Sequence, residues 1–200
     1  IDGGKVTDDV YATDSKVLEI NSKSGLYPLF VAYNIYRRRV EEAKRKYGEV
    51  DRGFALSLWD ATIEQNIFVI CKTPMARDIT RRTLVGFRNT QVNAQYYKDL
   101  IEVIKNNPAT FVNEVRDGRR FWNTNNNDHM KFNAIVGNPP YQVMDGGGAG
   151  TSAITIYHHF VNISKIIKPK YISLIIPARW YAGGKGLDDF RSSMLNDDHI

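Results

Sequence analysis

The sequence predicts an α/β protein with a mostly parallel sheet. Two observations carry this. Short apolar runs of strand length recur near residues 16–20, 66–71, 132–137 and 171–176. Longer stretches of helical periodicity lie between them. Strands that alternate with helices are joined by crossovers, and crossovers make neighbouring strands parallel.

Each element has a local reason. Residues 16–20 form a first strand, followed by a turn over 21–25. A helix over 27–46 places Leu29, Phe30, Tyr33, Ile35, Tyr36 and Val40 at its apolar positions. Its second half is dense in charge (Arg37, Arg38, Arg39, Glu41, Glu42, Lys44, Arg45, Lys46), which reads as a solvated face before it reads as a nucleic-acid groove. A second helix covers 54–64. Residues 66–71 are rich in β-favouring types and form the next strand. Thr73-Pro74 opens another helix, with proline in its first turn.

Helical patterns follow over 96–104 and around 110–115. The alternation requires a third strand between 88 and 120, and no apolar run marks it. An Asn-rich polar loop covers 123–128, and a strand begins near Phe132. Residues 145–150 are a glycine-rich, flexible connection. A helix is expected over 152–167, a buried strand over 171–176, a loop over 177–186 and a last helix over 187–195. No boundary divides the chain, so residues 1–200 read as one domain. Because residue 1 is Ile and the chain stops within an element, it is expected to be a piece of a longer protein.

Composition narrows the class. The single cysteine, Cys71, argues against a disulfide framework and for a reducing, cytoplasmic setting. No apolar stretch reaches membrane-spanning length. A formal net charge of +5 suits a polyanionic partner, although many soluble proteins are this basic.

The segment Phe132-Asn133-Ala134-Ile135-Val136-Gly137-Asn138-Pro139-Pro140-Tyr141 is the most informative. A buried strand stops where two prolines remove backbone donors and fix the chain direction. Asn138 and Tyr141 then sit at its carboxyl end, where open α/β sheets bind ligands. A plain strand-ending turn is the competing reading. Average residue usage would give this tetrapeptide by chance in roughly one chain per thousand of this length.

A second constellation is Val17-Leu18-Glu19-Ile20-Asn21-Ser22-Lys23-Ser24-Gly25: a strand, an acid and a tight turn into a helix. Gly25 lets backbone approach a ligand, and the helix start offers free N–H groups to a carboxylate. His158 and His159 do not suggest a metal, because adjacent helical side chains diverge. Gly183-Gly184-Lys185-Gly186 fails as a phosphate loop, since Arg179 stands at the first glycine position and Gly186 follows the lysine. Arg77, Arg81, Arg82 and Arg88 read as a solvated face, with phosphate contact as the alternative. No nuclease pattern of paired acids with a lysine is visible.

On these residues the chain resembles the amino-methylating class of Rossmann-like DNA methyltransferases. More closely, it resembles the adenine-specific methylase part of type II restriction–modification enzymes. The family's first motif, Asp-Pro-x-x-Gly-Ser-Gly, falls on Glu19, Ile20, Asn21, Ser22, Lys23, Ser24 and Gly25. Glu, Ile and Lys depart from it; Ser24-Gly25 matches. Later segments add to the resemblance: residues 154–160, Ile175-Ile176-Pro177-Ala178-Arg179-Trp180, and residues 183–191.

The resemblance implies a Rossmann-like S-adenosylmethionine-dependent fold with helices on both sheet faces, truncated at its C-terminal hairpin. It implies a catalytic tetrapeptide of Asn138, Pro139, Pro140 and Tyr141, which acts on an adenine flipped out of double-stranded DNA. S-adenosylmethionine would contact Glu19, Ile20, Asn21, Ser24, Gly25 and Asn138. Tyr141, Tyr157, Arg179, Trp180 and Lys185 would line the substrate. The acid that usually binds the ribose is replaced by Cys71, with Lys72 beside it. The acid near the adenine ring has Glu114 and Asp117 as candidates. Target recognition, and any endonuclease, would lie in further domains of the same polypeptide. Two other readings remain open: methylation of a protein glutamine amide, and a degenerate domain that binds without catalysis.

Overall fold

The computed structural model describes residues 3–122, 124, 129–144 and 153–200. A five-stranded, all-parallel sheet forms its centre: β1 (Val17–Ser22), β2 (Ile67–Cys71), β3 (Asn93–Tyr96), β4 (Ala134–Gly137) and β7 (Tyr171–Leu174). The strand order is β3-β2-β1-β4-β7, so the chain reverses direction across the sheet between β1 and β4. A separate antiparallel pair, β5 (Gln142–Met144) and β6 (Ala153–Thr155), follows β4.

β1 and β2 are buried at every position, as strands covered on both faces must be. Alternation sends their side chains to two cores. Leu18, Ile20, Phe68 and Ile70 pack against α5 (Leu100–Asn106), α6 (Pro108–Val115) and α7 (Tyr157–Ile167). Val17, Ile67, Val69 and Cys71 pack on the other face, against α2 (Leu26–Tyr47), α3 (Arg52–Asn66) and α4 (Pro74–Val85). Asn133 aligns β4 with β1: its side-chain oxygen accepts from Lys16 N at 2.9 Å, and its own N–H donates to Lys16 O at 2.7 Å. Thr73 caps α4 by accepting from Ala76 N at 3.1 Å, a bond worth about 1 kcal/mol.

The structure corrects several expectations. The missing third strand is β3, and Tyr96 ends it instead of opening a helix. Its sequence, Asn-Ala-Gln-Tyr, has no apolar run because it is a short edge strand. Tertiary bonds hold it: Asn93 Nδ2 donates to Glu64 O and Ile67 O. The helix expected over 152–167 begins only at Tyr157, because Ala153–Thr155 pairs with Gln142–Met144 instead. The strand expected over 171–176 is shorter and half exposed, since β7 has only β4 as a neighbour among the described strands. A 3-10 helix, Ala178–Ala182, and α8 (Asp188–Leu195) follow. Arg39 is not part of a solvated face; it is half-buried and donates to Thr13 O, Gln65 Oε1 and Asn66 Oδ1. An N-terminal helix, α1 (Gly3–Val10), was not anticipated; Asp8 pairs with Arg38 at 2.6 Å. The Asn-rich loop and the glycine-rich connection fall, Thr124 apart, outside the described residues.

Candidate active site

The carboxyl ends of β1, β2, β3 and β4 lie along one edge of the sheet, because all four strands run in parallel. That edge gathers most of the sequence-predicted site residues.

The turn after β1 is shaped by its own side chains. Asn21 has a positive φ of 70° and sits at an irregularity in the β1–β2 register, between Ile20 and Ser22. Ser22 Oγ accepts from Gly25 N at 3.1 Å. Gly25 has φ 75° and lies so close to Thr80 that a Cβ would stand 3.1 Å from its Cγ2. No side chain caps the start of α2, so its first N–H groups remain available to an anionic ligand. Ser24 is partly buried and Lys23 exposed, while the Ile20 side chain belongs to the core.

Glu19 is 5% exposed, between the two strands that flank β1. Burial pushes its carboxyl up to about 7, and a hydrogen bond from Ser22 opposes that rise. Its Oε2 has no hydrogen-bond partner among the described residues. A buried acceptor left unpaired marks a place where a donor belongs.

β4 ends at Gly137, and the next four residues present alternately. Asn138 is exposed, Pro139 buried, Pro140 half-buried and Tyr141 exposed at 38%. Two backbone bonds hold this segment in place. Ile175 N donates to Gly137 O at 3.0 Å, and Ile156 N donates to Tyr141 O at 3.0 Å. The two side chains expected to touch a substrate are therefore the two that face outward.

The remaining expected substrate residues divide. Arg179 and Lys185 are exposed. Tyr157 and Trp180 are 1% and 6% exposed and form a small core with Val161, Leu187 and Phe190. They support the loop from below and do not line its surface. Gly183, Gly184, Lys185 and Gly186 all have positive φ, which explains the glycines as a tight turn; Gly184 N donates to Asp188 Oδ1 at 2.9 Å. Of the arginines, Arg77 pairs with Asp78 and Arg88 with Asp60, while Arg82 lies over Phe87. His158 and His159 do not diverge as expected: their rings on α7 lie 4.0 Å apart and tilted by 39°, and burial holds His158 down to about 4. Among the described residues no group of three or more His, Cys, Asp or Glu gathers as a metal would require.

The end of β2 bears on the ribose question. Cys71 is fully buried, and its thiol is pushed up to about 11 by burial. It faces Thr80 and offers a ligand nothing. Lys72 beside it is exposed. Three residues beyond β3 stands an acid that sequence reasoning did not single out. Asp99 is exposed, has φ 52° and makes no capping bond at the start of α5. Glu114, by contrast, sits on α6 and accepts from the Tyr97 hydroxyl, and Asp117 pairs with Arg120. The signal for Asp99 was β3 itself, whose polar sequence hid it.

Among the described residues no helix is long and apolar enough to cross a membrane. The chain is similar to known proteins in two comparisons. The family model described as Eco57I restriction-modification methylase matches residues 65–200. The chain is also similar to a Mycoplasma pneumoniae protein described as an uncharacterized adenine-specific methylase. The two are 32% identical over 102 residues, which is 50% of this chain and 24% of that protein.

Proposed function

The chain belongs to the Eco57I restriction-modification methylase family, and from that premise we propose that it transfers a methyl group from S-adenosylmethionine to the N6 amine of adenine in DNA. It would be the modification part of a restriction–modification system, working in the cytoplasm on double-stranded DNA with one adenine flipped out. Further domains of the polypeptide would read the sequence.

One observation carries the reading. Asn138-Pro139-Pro140-Tyr141 follows β4 directly, and β4 lies beside the strand that leads into the candidate cofactor turn. The residues present fit the cofactor. Glu19 Oε2 is a buried acceptor awaiting a donor such as an amino group, and the uncapped start of α2 suits a carboxylate. When bound, S-adenosylmethionine supplies an electrophilic methyl on a sulfonium.

The chain's residues do the rest. An exocyclic amine is a poor nucleophile, because its lone pair is delocalised into the ring. The Asn138 side-chain oxygen accepts one hydrogen bond from it, and the Pro139 carbonyl accepts another. These acceptors pull the nitrogen toward tetrahedral geometry and direct its lone pair at the methyl. Fixed dipoles of this kind act strongly where water is excluded. Tyr141 lies against the base and holds it outside the stack. The proton released from nitrogen passes to solvent.

The test is methyl transfer by the full-length protein from labelled S-adenosylmethionine to DNA of mixed sequence. N6-methyladenine in the digest is the expected product. Label in protein and none in DNA would move the assignment to a glutamine amide, and no label anywhere to a non-catalytic domain.

A further inference from the structure

We propose that Thr80, on α4, is a positioning residue that fixes the shape of the cofactor turn after β1. The inference rests on the functional reading above and extends it to a residue outside the turn. Thr80 is fully buried, in the middle of a helix whose neighbours Arg81 and Ile79 are exposed. A buried hydroxyl is kept where it has partners.

Thr80 touches the turn in two ways. The first is shape. A Cβ on Gly25 would meet Thr80 Cγ2 at 3.1 Å, its Cα at 3.3 Å and its carbonyl oxygen at 3.4 Å. Thr80 is thus the floor against which Gly25 takes its left-handed conformation, the conformation that starts α2. The second is hydrogen bonding. Thr80 Oγ1 lies 3.5 Å from Ser22 Oγ as its donor, and Cys71 Sγ lies 3.8 Å from Thr80 Oγ1 as a donor to it. Ser22 Oγ in turn accepts from Gly25 N, and Ser22 bonds to Glu19.

Each hydroxyl carries one hydrogen, so the directions are linked. Cys71 donates to Thr80, Thr80 to Ser22, and Ser22 to the Glu19 carboxylate. With its hydrogen committed to Glu19, Ser22 has its lone pairs free for Gly25 N and Thr80. Thr80 therefore orients Ser22, and Ser22 holds both the acid and the turn. This also gives the buried Cys71 a part: it fills the end of β2 and completes the chain of donors.

Two substitutions separate shape from hydrogen bonding. T80V keeps the methyl beneath Gly25 and removes the hydroxyl; T80S keeps the hydroxyl and the backbone part of the floor, the residue-80 Cα and carbonyl oxygen. Binding of S-adenosylmethionine to the full-length protein is measured by calorimetry, with thermal stability of the ligand-free protein alongside. T80V is expected to bind about fivefold more weakly, the loss of one modest hydrogen bond, and T80S within about twofold of wild type. At saturating cofactor, kcat and the KM for DNA should be unchanged in both. Should T80V not fold, T80A against T80S makes the same comparison. Equal affinity of wild type and T80V would overturn the inference, as would equal losses in T80V and T80S. Absence of binding by wild type at millimolar S-adenosylmethionine would overturn the functional reading, and the inference with it.

Discussion

Glu19 and Gly137 are in contact across neighbouring parallel strands: a Cβ on Gly137 would stand 3.2 Å from Glu19 Cγ. Gly137 has φ 151°, a conformation that side chains rarely adopt. The last residue before the Asn-Pro-Pro-Tyr segment therefore meets the acid of the strand that leads into the candidate cofactor turn, with nothing between them. The two halves of the candidate site are fitted to one another at this point.

Gly137→Ala follows directly. The added methyl must displace Glu19 while the backbone holds an unfavourable φ, a strain on the order of 1–3 kcal/mol. We expect a lower melting temperature and a marked loss of S-adenosylmethionine affinity in calorimetry. An alanine variant with wild-type stability and affinity would show that the contact is not needed.

The pH dependence follows from Glu19. Its carboxyl is raised from 4.5 to about 7, chiefly by burial. A raised acid keeps its proton in the folded protein while the unfolded chain loses it. Its stabilising contribution is thus complete below pH 4.5 and is lost as pH rises toward 7, by on the order of 3 kcal/mol. Ligand-free Glu19→Gln should lack this slope, so denaturation curves of the two proteins should converge in acid and diverge near neutrality. S-adenosylmethionine carries an ammonium group that prefers the charged carboxylate. Wild-type affinity should therefore tighten as pH rises through 7, and parallel pH profiles for the two proteins would exclude Glu19 as the titrating group.

Asn138→Ala removes an acceptor that acts on the attacking amine. By analogy with the loss of one preorganised transition-state hydrogen bond, turnover should fall at least about 100-fold. Cofactor affinity should change little, since Asn138 is exposed and its expected cofactor contact is one among those of Glu19, Asn21, Ser24 and Gly25. Undiminished methylation would remove Asn138 from its assigned role.

Tyr141 is assigned to stacking, which needs an aromatic face and no hydroxyl. Tyr141→Phe and Tyr141→Trp should stay within about threefold of wild type in KM for DNA. Tyr141→Ala should lose about tenfold or more, in line with 1–3 kcal/mol per stacked base. Equal losses in all three would count against stacking.

Much of the fold was legible in the residues. β1, β2 and β4 are central strands covered on both faces, so burial favours apolar residues, continuous in β2 and β4 and broken in β1 by Glu19, Asn21 and Ser22, that stand out against the helices. α2 and α4 announce themselves by length and by Thr73-Pro74. β3 did not, because an edge strand needs little apolar surface and is held by Asn93 bonding to backbone from α3 and β2. Asp99 was lost with it. The antiparallel pair after Tyr141 was equally hidden: Ala153–Thr155 is compatible with a helix locally, and only pairing with Gln142–Met144 makes it a strand.

The sequence by itself determined the layered α/β class, the candidate cofactor turn and the Asn-Pro-Pro-Tyr segment, because these depend on short-range chemistry: apolar runs, glycine at a turn, proline at a strand end. Only the tertiary structure decided which side chains face outward. Asn138 and Tyr141 are exposed, whereas Tyr157 and Trp180 are buried in a core of their own. Only the structure set Glu19 against Gly137 and Thr80 beneath Gly25. Those contacts join residues more than fifty positions apart, and no local pattern encodes them; strand order and helix packing bring them together.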